Sequence, residues 1–279
     1  MMKTTFFLTI IVLSLTYSNG ENCDSYGVLL YEEIQCQPVK SKEGNCPSKF
    51  DCDFSRPKSG CTFKGRNFGP SEDIPANLTY SGCMIGCTCE DFNFIRCAAL
   101  DCPENLGATN ENCYNEYELE KCCAVGEICN NATTIKNNCQ VDGETYEIGQ
   151  QFYPKNTCYS CVCNENFKGE YNEENCVKQN CNSQIHFTEE INKKCAPAYF
   201  NFHSDEALCC PNSFICPDTL DSIKIINREA HQDSSLECQY GQQKLKLGEG
   251  FEREINKFGK DRKMKCECEL PPLVTCREI

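Results

Sequence analysis

The side chains here with the most chemistry to offer are thiols. The chain has 28 cysteines but only three histidines, His186, His203 and His231. Two reactions suit such a set: thiolates can hold a metal, or they can oxidise in pairs. Zinc ribbons want two separated CxxC pairs or histidine partners, whereas the close clusters here run CxxCxC, CxxxCxC and CC. Disulfides therefore account for the cysteines, and no metal or other cofactor is expected. Catalysis finds little support either. A nucleophilic triad needs a histidine held in exact partnership, and these three fall in loop-rich or connecting stretches where solvent-exposed side chains are the simpler reading.

The first twenty residues give the compartment in which thiols oxidise. Lys3 precedes the apolar run "FFLTIIVLSL" (6–15), and Ser18-Asn19-Gly20 follows. This is the layout of a secretory signal peptide, and a mostly apolar run of ten residues is too short to span a bilayer. All the cysteines lie beyond Gly20, about one residue in nine of the mature chain, which signals a disulfide framework in a secreted protein. The sequons Asn77-Leu78-Thr79 and Asn131-Ala132-Thr133 are then candidate N-glycosylation sites. A formal charge of −14, with no basic patch, argues against a nucleic-acid partner.

The cysteines repeat. Cys61, Cys83, Cys87, Cys89, Cys97, Cys102, Cys113, Cys122, Cys123 and Cys129 form a set of ten, and Cys139, Cys158, Cys161, Cys163, Cys176, Cys181, Cys195, Cys209, Cys210 and Cys216 form a second in the same order. The ends carry halves of that pattern. Cys23, Cys36, Cys46 and Cys52 match positions six, seven, nine and ten, and Cys238, Cys266, Cys268 and Cys276 match positions one, three, four and five. The chain thus divides into a signal peptide (1–20), a back half (21–53), two whole repeats (61–130 and 139–217), a connector (218–237) and a front half (238–277).

Parity constrains the pairing. Each half of a whole repeat holds five cysteines, so at least one bridge must leave it. The isolated halves hold four each: the front half lacks position two, where Lys263 stands, and the back half lacks position eight, where Asn45 stands. The economical inference is that positions two and eight bond to each other, giving Cys83–Cys122 and Cys158–Cys209. Neighbouring Cα atoms lie about 3.8 Å apart, below the usual disulfide range, so the two sulfurs of each CC pair face different partners. Closing loops of some forty to fifty residues stabilises by about 4 kcal/mol in the chain-entropy model. Spacing alone leaves the pairing inside each half open among three connectivities.

The elements holding these thiols must be short. There is no Trp, and cysteine recurs too often for a long helix. Small modules of this kind substitute cross-links for core. "GETYEIGQQFY" (143–153) alternates apolar and polar residues around glycines, which suggests short strands joined by turns. Tyr146 and Phe152 read as a miniature core over the disulfides. Phe152, Tyr153 and Tyr159 are also the candidates for an exposed binding edge. "EYELEKCC" (116–123) reads as a solvated acidic loop.

The pattern C…G-x-x-Y-x-x-G-x-x-F…C-x-x-C-x-C…C…C…C…CC-P…C resembles the von Willebrand factor type C module, or chordin-like cysteine-rich repeat. The second repeat carries it best, in "CQVDGETYEIGQQF" (139–152), "CYSCVC" (158–163) and "CCPNSFIC" (209–216). The first departs from it: its cluster "CMIGCTC" (83–89) is one residue longer, Ala124 follows CC, and the glycine–aromatic spacing is kept only at Gly65 and Phe68. The resemblance implies tandem disulfide-rich modules, each with a short antiparallel β front subdomain and an irregular, disulfide-held back subdomain. It implies the pairings Cys61–Cys89, Cys87–Cys97, Cys102–Cys123, Cys113–Cys129, Cys139–Cys163, Cys161–Cys176, Cys181–Cys210 and Cys195–Cys216. At the ends it implies Cys23–Cys46, Cys36–Cys52, Cys238–Cys268 and Cys266–Cys276.

It also implies a secreted, extracellular, non-enzymatic binding protein, with modulators of bone-morphogenetic-protein and TGF-beta-type growth factors as its model and no membrane span. The competing readings are a structural matrix or secretion component and a protease inhibitor of the trypsin-inhibitor-like class, which lacks an adjacent CC. The two–eight inference has a direct check. Cys209→Ala should leave Cys158 without a partner and give mispaired product on non-reducing gels, whereas Cys158→Ala combined with Cys209→Ala should yield a secretable monomer. A peptide map joining Cys209 to Cys181 would refute the inference.

Overall fold

The computed structural model describes residues 27–40, 46–55, 57–107, 110, 112–129, 138–201, 208–230 and 235–279. The apolar leader, Cys23, Asn45, Asn131, His203 and His231 lie outside them. The chain forms small, mostly antiparallel sheets with few helices. A helix α1 (Val28–Glu33) precedes the hairpin β1 (Gln37–Lys40) and β2 (Pro47–Asp51). Next come β3 (Cys61–Phe63), β4 (Arg66–Phe68), β5 (Met84–Cys89), β6 (Ile95–Ala99), β7 (Cys113–Glu116) and β8 (Gly126–Cys129). The following stretch holds β9 (Asn138–Val141), β10 (Glu144–Glu147), β11 (Gln151–Phe152), β12 (Tyr159–Val162) and β13 (Cys176–Lys178). Helices α2 (Ser183–His186) and α3 (Thr188–Asn192) lead into β14 (Ala196–Tyr199) and β15 (Ser213–Ile215). The chain closes with β16 (Lys224–Ile225), β17 (Glu237–Tyr240), β18 (Gln243–Lys246), β19 (Glu249–Lys257), β20 (Lys260–Glu267) and β21 (Thr275–Glu278).

Three segments share one local design. A cysteine pairs across a hairpin with the residue seven further on: Cys61 with Phe68, Cys139 with Tyr146, Cys238 with Leu245. Ten residues after that cysteine the backbone turns at positive φ, at Ser71 (65°), Gly149 (87°) and Gly248 (78°). Each of these donates its N–H to a cysteine carbonyl, of Cys89, Cys163 and Cys268, at 2.8, 2.8 and 3.0 Å. Thirteen residues after the first cysteine stand Ile74, Phe152 and Phe251, all buried. The glycine–aromatic spacing expected at Gly65 and Phe68 is therefore not the whole of the first segment's match. Its turn falls at Ser71 and its core residue is Ile74, a serine and an aliphatic doing what glycine and phenylalanine do elsewhere.

The segments expected to be irregular are hairpins instead. β1–β2, β7–β8 and β14–β15 are antiparallel pairs. Each is closed by a disulfide, Cys36–Cys52, Cys113–Cys129 or Cys195–Cys216. The cysteines flank the strands or stand at their ends, so the bridge fixes the register of each short pair.

These units do not sit apart as beads. The largest sheet has six strands in the order β15-β14-β21-β20-β19-β16, so a hairpin from the second repeat extends the sheet of the C-terminal half. The joint is parallel, with Ala198 opposite Cys276 and Tyr199 opposite Arg277. The core around it gathers Phe200, Ile215, Tyr240, Phe251, Met264 and Val274. Arg253 ties in the connector by donating to Asp221 and to the carbonyl of Cys216. The first repeat docks on α2 of the second: Lys64 N–H donates to Gln184 Oε1 at 2.8 Å, and Asn182 Nδ2 donates to the Gly82 carbonyl at 2.7 Å.

Helix α1 is the hub. It has six residues and no side-chain cap, too short to persist by propensity, and Val28, Leu29, Leu30 and Tyr31 are all buried. Leu29 packs on Cys158 and Cys209. Leu30 packs with Ile191, Cys195 and Phe214 of the second repeat. Val28 and Tyr31 pack with Phe50, Leu270 and Leu273, joining the two terminal halves. There the Tyr31 hydroxyl accepts from Leu273 N–H at 3.1 Å and lies 3.2 Å from the Leu270 carbonyl oxygen, to which it donates. Phe50 N–H reaches the Pro271 carbonyl at 2.9 Å. Leaving such buried backbone groups unpaired costs about 1–3 kcal/mol each. Tyr31→Phe should therefore lower the denaturation midpoint and speed hydrogen exchange in residues 270–274 and 47–51 ahead of the rest, measured by exchange mass spectrometry under native conditions.

Candidate functional site

The structure places the cysteines as pairs. The two front-to-back bridges are Cys83–Cys122 and Cys158–Cys209, with Cα separations of 4.9 and 5.5 Å. The second member of each CC pair turns the other way, in Cys102–Cys123 and Cys181–Cys210. The remaining front pairs are Cys61–Cys89, Cys87–Cys97, Cys139–Cys163, Cys161–Cys176, Cys238–Cys268 and Cys266–Cys276. Cys46 is disulfide-bonded as well; the pairing Cys23–Cys46 reaches outside the described residues. Cys102 Sγ lies 3.3 Å from Cys122 Sγ. That proximity is one bridge packing on another, because both sulfurs are already committed to disulfides and have no thiolate to offer a metal.

The candidate ligand contacts separate. Phe152 is 2% exposed and packs on Tyr146 and Phe167, with ring centroids at 5.0 and 5.4 Å. Its place is the core over the Cys161–Cys176 and Cys139–Cys163 bridges, which removes it as a surface contact. Tyr153 is 59% exposed. Tyr159 is half-buried, with Lys178 Nζ 5.1 Å from its ring centroid, and it faces a cleft. His186 is exposed, and none of the residues around that cleft is a histidine.

The cleft has a volume of about 850 Å³ and lies between α1, the first repeat and β12–β13. Each wall follows from packing already described. α1 buries its apolar residues against three partners and so turns Glu32 and Glu33 toward the opening. The two-residue turn at Lys64-Gly65 has φ of 46° and 70°, the backbone that hairpins of this length require, and it carries Lys64 to the rim. Leu119 and Glu120 line it too, so the stretch 116–123 is not merely a solvated loop. Asn77, exposed in the single turn Ala76–Leu78, stands on the edge.

Glu33 is the chemically unusual member. One carboxylate oxygen accepts from Ser183 N–H at 3.3 Å; the other, Oε1, is buried with no hydrogen-bond partner. Burial pushes its carboxyl above the ordinary value, opposed by bonds from Ser183 and by the charge of Lys64. Burial also pushes Lys64 down, opposed by Glu33 and Glu120. Lys64 Nζ donates to the Leu78 carbonyl at 2.8 Å. The exposed carboxylates of Glu32, Glu120 and Glu173 on the cleft walls suit a polar ligand that brings hydrogen-bond donors. Sequence reasoning passed over Glu33 because nothing marks it: only the docking of α1 buries it. No helix among the described residues is long and apolar enough to cross a membrane. No family model matches the chain, and neither a curated protein nor a solved structure matches it significantly.

A raised carboxyl binds a proton more tightly folded than unfolded. Its favourable contribution is complete below the ordinary glutamate value and is lost as pH rises through the folded one. Glu33→Gln should accordingly raise the thermal midpoint at pH 7. That gain should shrink as pH falls and vanish below about 4.3, the ordinary glutamate value, as read by calorimetry of both proteins across the range.

Proposed function

We propose that the chain is a secreted, non-enzymatic binding protein made of repeats that resemble von Willebrand factor type C modules, and that its ligand is an extracellular protein of the bone-morphogenetic-protein or TGF-beta type. Three kinds of support carry the parts of this reading. The shared register of the three cysteine-led segments supports repetition of one front unit. The dense disulfide frame suits an oxidising, extracellular setting. The exposed strand edge of the C-terminal half supports protein binding.

That edge is the observation on which the binding reading rests. β19 runs nine residues, but β16 covers only Glu249 and Gly250. Along residues 253–257 no other strand among those described lies on that side, so backbone donors and acceptors are open to an incoming strand. Ile225 is 51% exposed beside it. At the hairpin tip Phe258 is 72% exposed and has φ of 55°. A bulky side chain in the left-handed region is a strained choice, and strain of this kind collects at working surfaces. Alternating Glu252, Arg253, Glu254 and Lys257 along the strand also keeps the edge from self-association.

The test is capture of the glycosylated, secreted protein on immobilised dimeric cystine-knot growth factors and, in parallel, on collagens and matrix glycoproteins. Phe258→Asn, which suits the left-handed backbone better, should keep or raise the thermal midpoint and weaken growth-factor capture about tenfold, the loss of one well-packed aromatic anchor. Strong matrix retention with no growth-factor capture would replace the growth-factor reading by a matrix component.

A further inference from the structure

The cleft beside α1 has an occupant built into the same chain. Asn77 is exposed on its rim and begins the sequon Asn77-Leu78-Thr79. Across from it Tyr159 and Tyr171, with ring centroids 6.3 Å apart, form an aromatic wall. Asn172 and Gln179 add amide groups, and Glu32 and Glu173 add carboxylates.

We propose that this cleft seats the first sugars of the N-linked glycan carried by Asn77. The chemistry is complementary on each count. A pyranose ring presents a C–H face that packs on an aromatic ring, whose face is electron-rich. Its hydroxyls and the acetamide N–H of N-acetylglucosamine are donors suited to the exposed carboxylates of Glu32 and Glu173 on the cleft wall. Amide side chains of Asn172 and Gln179 can both donate to and accept from sugar oxygens. The attachment also lowers the cost of occupancy: a tethered ligand binds at an effective concentration set by its linkage rather than by its supply. Seated there, the sugar bridges the first repeat, which carries Asn77, and the second, which carries Tyr159 and Tyr171. It thereby acts as one more fastening between units that no disulfide joins.

This inference rests on the secreted reading, and the experiment separates the two. The protein is produced in a eukaryotic secretory line, and release of each glycan by peptide N-glycosidase is followed by peptide mass spectrometry, native against reduced and alkylated. Release from Asn77 should be at least tenfold slower in the native protein, and Tyr159→Ala should restore the fast rate at Asn77 alone. In the native protein, Asn77→Gln should speed hydrogen exchange in residues 159–162 and 176–178, a readout that does not depend on the tyrosine variant folding well. Equal release rates native and denatured, or unchanged exchange in Asn77→Gln, would overturn the seat. A glycan at Asn131 with none at Asn77 would sink the seat and leave the secreted reading standing. No glycan at either asparagine in the secreted product would remove both sequons' role and the seat with it, and failure of the chain to be secreted would overturn the secreted reading itself.

Discussion

Neighbouring Cα atoms lie about 3.8 Å apart, too close for an ordinary disulfide, so Cys122 and Cys123 have to bond in different directions, as do Cys209 and Cys210. One sulfur of each pair stays within its own half: Cys123 with Cys102, Cys210 with Cys181. The other crosses to the preceding half, Cys122 to Cys83 and Cys209 to Cys158. That single geometric refusal ties a strand-built half to a hairpin half in both complete repeats. It also creates a surface. Leu29 of α1 packs against Cys158 and Cys209, with Cys181 and Cys210 beside them, so the crossing point is both cross-link and docking site.

The ends of the chain solve the same problem without a covalent tie. Lys263 occupies the position of the missing crossing cysteine in the structure as well as in the spacing. Ile279 N–H donates to its carbonyl, as Gln179 does to Cys158 and Leu100 to Cys83. Yet the described residues of the N-terminal half dock elsewhere. Lys263 makes an ion pair with Glu252, while Tyr31 and Phe50 engage the loop after Cys268, at Leu270, Pro271 and Leu273. The two halves meet through buried hydrogen bonds and apolar packing. Nor is the C-terminal half completed by its N-terminal counterpart alone, since its sheet is extended by β14 from the second repeat.

What the sequence disclosed was what short-range geometry encodes. Cysteine order and parity pointed to the crossing bridges, and alternation around Gly143 pointed to strands. What it hid was of two kinds. Residue identity misled where backbone mattered more: Ser71 takes the left-handed turn that Gly149 and Gly248 take elsewhere, and Ile74 fills the place of Phe152 and Phe251. Contacts between units left no local trace at all. A six-residue helix without a cap reads as nothing until three partners bury it. Glu33 is an ordinary surface glutamate until α1 docks, and the parallel pairing of Ala198 with Cys276 joins residues 78 apart. Phe152, a candidate for both core and contact, lies in the core, because an aromatic in a small module has few places to be other than over its disulfides.

Interlocking changes what repetition can do for binding. Beads on a flexible string gain by linkage, each engaged unit raising the effective concentration of the next. Here α1 touches three units, α2 carries the first repeat, and β14 is a strand of the C-terminal sheet, so those units hold fixed positions. A ligand meeting them meets one surface, and the ordering cost that a flexible array would incur on binding is already met in folding. Under the binding reading, the open edge of β19 and the cleft at α1 therefore work as preset features of a single body. The disulfides hold each unit's shape, and the contacts between units, where no sulfur reaches, hold the geometry that a partner would recognise.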